Sequence, residues 1–272
     1  MENNIFRKFQ HDTGNKTVFG HTGNFEGEDV LDLLLEQKQT AQFITNKIYR
    51  FFVNDTIDKE KTEWLSKRFY ESGYDISKLM DDIFTSSWFY EDKNIGVKIK
   101  SPIELLAGIQ RILPMKLENP ESLLIIQKIL GQILFYPPNV SGWPGGRAWI
   151  DSSTLMMRLR IPQLLNDTDD LNVQPKSDDD QMMGMMRSQE KIRNMGRAGR
   201  PVKADINWES FTELFSLMPK ERVIRAMALT LLQTEMKLSE NIIFQYAEGE
   251  NKNAKIRSAA LQIMSIPEYQ MC

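Results

Sequence analysis

Apolar side chains recur every three or four residues from Glu28 to Asn166, and this spacing predicts one amphipathic helix after another. Leu31, Leu34 and Leu35 mark the first, and Phe43, Ile44, Ile48, Phe51 and Phe52 the second. Leu65 and Phe69 mark the third, and Ile76, Leu79, Met80 and Ile83 the fourth. Start signals define two more. Ser101-Pro102-Ile103-Glu104 has the cap, proline and acid order of a capping box, and Asn119-Pro120-Glu121 repeats that order. The helices they introduce run roughly from Pro102 to Leu113 and from Pro120 to Phe135. The second is apolar over much of its circumference, from Leu123 to Leu134, which predicts a central core helix. Another helical stretch covers Ser152 to Leu165, with Pro162 weakening its end. Helical spacing returns at Trp208, Phe211 and Phe215, continues through Ile224, Met227 and Leu231 and through Ile242 and Ile243, and closes with Ile256, Ala260 and Met264. Extended pieces are confined to short stretches near Thr17 to Phe19 and Val97 to Ile99.

Between these helical regions the pattern breaks. Asn166 to Asp205 has few large aliphatic residues, six aspartates up to Asp180, and then a basic run through Arg187, Lys191, Arg193, Arg197, Arg200 and Lys203. Such a stretch buries too little apolar area to offset its ordering entropy. The fold expectation is therefore all-α: a multi-helix, bundle-like domain over 1–166, a disordered linker over 167–205, and a C-terminal helical segment over 206–272 that can pack on the first domain. Ile83 to Tyr90 and Ile263 to Tyr269 echo one another, each ending an amphipathic helix with serine followed by aromatics. Their plainest reading is a pair of helix ends whose rings pack back on the core.

At 272 residues and 41% hydrophobic, the chain can bury a sizeable core. The 34 basic and 37 acidic residues leave a formal charge of −3, so nothing global points to nucleic acid as a partner. Cys272 is the only cysteine, which excludes an intrachain disulfide and a cysteine metal cluster. Met1 to Gln10 lacks a continuous apolar stretch, and no apolar run reaches membrane-spanning length, so the sequence reads as soluble and without an export signal.

Candidate chemistry is sparse. Tyr136 to Ile150, Tyr-Pro-Pro-Asn-Val-Ser-Gly-Trp-Pro-Gly-Gly-Arg-Ala-Trp-Ile, is a stiff loop between helical patterns, with prolines that fix φ and glycines that allow positive φ. Asn139, Trp143, Arg147 and Trp149 are its ligand-binding candidates. The two indoles and the guanidinium can form an exposed platform for a sugar or a peptide, or the indoles can face inward and pin the loop, the commoner fate of tryptophan. His11, Asp12 and Lys16 form a second candidate group. A metal or acid–base role there needs further ligands folding back, and His11 and His21, ten apart, have no recognised ligand spacing. Gly14-Asn15-Lys16-Thr17 has the ending of a phosphate loop without its glycine spacing or preceding strand. No serine elbow is present, and the paired carboxylates lie beside lysines as solvated charges. No catalytic residue, metal or cofactor is assigned.

The loop also carries a resemblance. Gly131-Gln132 to Phe135, Pro137-Pro138-Asn139-Val140, Gly142-Trp143-Pro144-Gly145-Gly146 and Trp149-Ile150 resemble a bacterial family known as domain of unknown function 1800 (DUF1800). His11-Asp12 with Lys16 and Gly20, Thr40-Ala41 with Phe43-Ile44 and Lys47, Phe51-Phe52-Val53, Lys100-Ser101-Pro102 and Ser265 to Gln270 are similar to the same family. The resemblance implies that the chain corresponds to the C-terminal part of a longer protein with a preceding helical region and often an export signal. It further implies an exported or periplasmic setting and a protein partner from an exported sulfatase-like family encoded nearby. The functional expectation is a binding or assembly module of the cell envelope, without nucleic acid and without a membrane span. The alternative is a hydrolase acting on carbohydrate or cell-envelope material, with catalytic groups partly in a preceding region.

Overall fold

A short antiparallel hairpin, β1 (Lys16–Val18) and β2 (His21–Gly23), opens the first part of the computed structural model, which describes residues 8–166 and 204–272. Phe19 and Gly20 turn it with φ of 49° and 86°, the doubly positive φ that matches the twist of a two-residue hairpin loop. The chain divides into two units, Met1–Asn94 and Ile95–Cys272, and among the described residues it forms eleven α-helices and two two-stranded sheets.

In the first unit, α1 (Gly27–Leu35), α2 (Lys38–Phe52), α3 (Lys59–Glu71) and α4 (Ile76–Phe84) match the four predicted periodic stretches. Asp58 and Asp75 cap α3 and α4 by accepting from the amides of Lys61 and Lys78. The core joins Ala41, Tyr49 and Val53 to Leu65, Phe69, Leu79 and Ile83. Helix α2 thus buries the row Ala41, Thr45, Tyr49, one turn apart, while Phe43, Phe51 and Phe52 stay exposed. Phe52 meets Phe51 and Phe84 edge-on, with ring centroids 4.7 and 5.8 Å apart. The Trp88 and Phe89 rings after α4 pack against the core, as the plain reading of the echoed motif has it.

Helix α3 stops at a left-handed Gly73: the amide of Gly73 donates to Tyr70 O and that of Tyr74 to Phe69 O, and the Tyr74 ring packs edge-on against Phe69 at 5.1 Å. This stop aims the Tyr74 hydroxyl at the end of α1, where it donates to Leu35 O at 2.7 Å and to Gln37 O at 3.3 Å. Tyr70 adds a bond to Glu36 O at 3.1 Å. Because α1 buries no residue fully, these phenols do much of its anchoring.

The second unit contains α5 (Pro102–Ile112), β3 (Met115–Leu117), α6 (Glu121–Ile129), α7 (Ser152–Asn166), β4 (Ala204–Ile206), α8 (Trp208–Ser216), α9 (Lys220–Leu231), α10 (Glu240–Tyr246) and α11 (Lys252–Met264). Its core is continuous from Leu105, Leu106 and Ile109 through Met157 and Ile161 to Phe211, Met227, Ala260 and Met264. The C-terminal helices therefore share one core with α5, α6 and α7. Strands β3 and β4 pair antiparallel, Met115 opposite Ile206 and Leu117 opposite Ala204. The pairing takes up Ala204 and Asp205, the last two residues of the expected linker. The rest of that linker, 167–203, lies outside the described residues.

One helix end differs from the sequence expectation, while α7 keeps its expected range. Helix α6 ends at Ile129, six residues short, because Gly131 at φ 85° closes a motif in which Gly131 N donates to Lys128 O and Gln132 N to Gln127 O. Helix α7 runs through the buried Pro162 to Asn166; the proline leaves the Arg158 carbonyl without its usual helical donor.

Tyr74→Phe should lower stability by about 1 kcal/mol, the net worth of a hydrogen bond, and speed hydrogen exchange in α1 while leaving α3 unchanged. Unaltered exchange along α1 would show that the phenol does not hold it.

Candidate functional site

The N-terminal candidates form a local hydrogen-bonded loop in the first unit. Asp12 accepts from the Gly14 amide at 2.8 Å, and Lys16 Nζ donates to Asp12 O, to Gly14 O at 3.1 Å and to Asn24 Oδ1 at 3.4 Å. The ammonium therefore ties the approach to β1 to the end of β2, and Thr17 and Thr22 bond across the hairpin at 2.9 Å. His11 is half-buried beside this loop. Among the described residues no three His, Cys, Asp or Glu side chains gather as metal ligands do.

The other four candidates belong to the second unit, on the loop that the chain enters at Gly131. Phe135, Gly142, Gly145 and Gly146 all take positive φ, from 54° to 84°. Asn139 is exposed and folds its own turn, its side chain accepting from Ser141 N at 2.8 Å and its carbonyl from Gly142 N at 3.1 Å. Trp143 is half-buried and Arg147 exposed. Trp149 is 6% exposed, and its carbonyl accepts from Thr154 Oγ1 at 3.0 Å. Asp151 then caps α7, accepting from Ser153 N and Thr154 N at 2.9 Å each. The loop is rooted at Trp149 and Asp151, and its outer part carries Val140, fully exposed, and Phe135, 90% exposed.

A polar cluster that the sequence reading missed lies beneath the start of α5. Arg158 of α7 is 0% exposed. Its Nε donates to Gln270 Oε1 at 3.2 Å and its Nη2 to Lys100 O. Burial pulls the guanidinium down to about 10, with Glu104 opposing the fall. Lys100 Nζ donates to Tyr269 O at 2.7 Å and lies 4.1 Å from the Tyr269 ring centroid, and burial lowers its pKa too. The backbone completes the clamp: Lys98 and Cys272 exchange bonds of 3.1 and 2.8 Å, and Lys100 N reaches Gln270 O at 2.8 Å. Arg158 Nη1, Gln270 Nε2 and Tyr269 Oη are buried without a protein partner. Lys100 and Gln270 stand in segments that carry the family resemblance, the one signal available for them. Arg158 gave none, since in sequence it looks like its exposed neighbour Arg160.

The predicted capping box forms above this cluster. Ser101 N donates to Glu104 Oε2 at 2.6 Å and Glu104 N to Ser101 Oγ at 3.2 Å, and Lys98 Nζ stands 3.2 Å from Glu104 Oε1. Burial pushes the Glu104 carboxyl up, but the Ser101 amide and Lys98 outweigh it and hold it below its ordinary value. The folded state then binds fewer protons at this carboxyl than the unfolded state. Its contribution is present above the ordinary carboxyl pKa, near about 4.3, and is lost as pH falls through the lower folded value. Between about pH 5 and pH 3, Glu104→Gln should therefore show a flatter fall of the unfolding midpoint than the unaltered chain. Parallel curves would exclude this role.

Trp149→Ala should destabilise by about 3 to 5 kcal/mol, the range for truncating a buried large aromatic, read as a shift of the denaturant midpoint. A near-native midpoint would remove Trp149 as the root of the loop.

No curated protein and no solved structure matches the chain. Among the described residues no helix is long and apolar enough to cross a membrane. One family model matches residues 1–271, essentially the whole chain and including both candidate groups, so the chain belongs to the DUF1800 family, proteins of unknown function.

Proposed function

We infer that the protein is a binding or assembly module of the cell envelope that docks a protein partner through its proline- and glycine-rich loop. The observation that carries this reading is the exposure of Val140 and Phe135 on a loop whose backbone is otherwise built to be stiff. Single exposed apolar residues are ordinary. Here they stand on turns set by Asn139 and by positive-φ glycines, next to the half-buried Trp143 and the exposed Arg147. Tryptophan and arginine are the residue types that dominate binding energy at protein interfaces, and a stiff loop loses little conformational entropy on docking. The inward Trp149 serves this arrangement as its anchor and leaves the outer residues free for contact.

The partner to test first is the exported sulfatase-like protein that the family resemblance implies. Purified chain and partner should form a complex measurable by calorimetry or surface resonance. Val140→Asp should weaken it about tenfold or more, a loss at an interface anchor, while changing stability by no more than about 0.5 kcal/mol. A complex that forms equally well with Val140→Asp and with Trp143→Ala, or no complex at all, would overturn the reading.

A further inference from the structure

In the second unit a cavity of about 210 Å³ opens where α9, α10 and the start of α11 meet. Its floor is made by Val223, Ile224, Ala247 and Ile256, all buried, and Phe244 forms an exposed wall. A dry cavity of about 150 Å³ accepts a benzene ring, so this one has room for a single ring or a short acyl chain with a polar end. The rim has a definite sign. Lys220, Lys252 and Lys255 line it against one acid, Glu250.

The three lysines are not equivalent. Lys252 Nζ is engaged by the carbonyls of Ser216 and Met218, the latter at 2.8 Å, and so fixes the turn between α8 and α9 to α11. Lys255 Nζ lies 5.9 Å from the Phe244 ring centroid, at the junction of wall and rim. Lys220 is the first residue of α9, a helix that begins at Pro219 without a side-chain cap. The Arg222 amide closes the first turn onto Pro219 O at 3.0 Å, and the start of the helix brings the positive end of its dipole to the same rim. Next to the lining residue Glu250, a Cβ at Gly249, whose φ is 140°, would stand 2.4 Å from Ala254 Cβ, so the chain before α11 runs close against the helix.

We propose that this cavity binds a small organic acid, with a carboxylate held between Lys220 and Lys255 and a ring or short acyl tail on the floor of Val223, Ile224 and Ile256. The site is independent of the loop reading, since it uses no residue of the 136–150 loop.

The test uses the full chain and 3-phenylpropanoate, with the neutral 3-phenylpropanamide as its control, in calorimetric titrations. The acid should bind saturably at one site, and the amide about tenfold more weakly, the loss of one charge-assisted contact. Lys220→Gln with Lys255→Gln should weaken the acid about tenfold and leave the amide unchanged. These side chains are exposed, so the folded state is retained. Ala247→Leu should weaken acid and amide together by filling the floor, and helical circular dichroism checks that it folds. Val140→Asp should bind the acid as the unaltered chain does, so the loop reading and this one fail separately. Equal affinity for acid and amide, an acid affinity indifferent to both lysines, or no saturable binding would each overturn the proposal.

Discussion

A guanidinium buried from solvent needs acceptors, and Arg158 finds them for Nε and Nη2 at two places far apart in sequence: the side chain of Gln270 and the carbonyl of Lys100. Much of the second unit is arranged around that requirement. The segment ending at Lys100 is held against the segment after α11 by backbone bonds, Lys100 reaches across to Tyr269, and the capping box that starts α5 follows directly. The cost of burying the charge is visible in its lowered pKa. Removing either acceptor leaves that cost uncompensated, so the cluster joins the two ends of the unit more firmly than its small number of bonds suggests.

The same unit builds two different kinds of surface. The loop after α6 has its turns set by proline and by positive-φ glycines, and Trp149 and Asp151 root it at the start of α7. The cavity between α9, α10 and α11 is defined instead by side chains, an apolar floor under a cationic rim. One surface offers stiff backbone with exposed apolar tips, and the other offers enclosure and charge. The ligands proposed for them differ, a protein partner for the first and a small organic acid for the second.

Helix existence was readable from the sequence because the three- to four-residue period is a local property of each segment. The capping box at Ser101 and Glu104 was readable for the same reason, its partners standing three residues apart. Which face a helix buries is a different matter. The apolar set that marks α2 in the sequence is Phe43, Ile44, Ile48, Phe51 and Phe52, whereas the packed helix buries Ala41, Thr45 and Tyr49, keeps Ile44 and Ile48 partly buried against the same core and leaves the three phenylalanines exposed. The early stop of α6 depended on one glycine whose left-handed φ closes two carbonyls, a conformation that an apolar run through Leu134 concealed.

The candidate loop was legible as a stiff, aromatic segment, since proline, glycine and tryptophan announce those properties by type. That Trp149 turns inward while Val140 and Phe135 face solvent was settled only when the chain folded, because burial is a property of neighbours. The polar cluster shows the limit most clearly. Arg158, Lys100 and Gln270 are separated by 58 and 112 residues along the chain and share no spacing that could mark them. By itself the sequence determined where helices form and the capping box at Ser101 and Glu104, both governed by interactions within a few residues. The tertiary structure alone decided which side chains lose their water and which distant acceptors compensate for it.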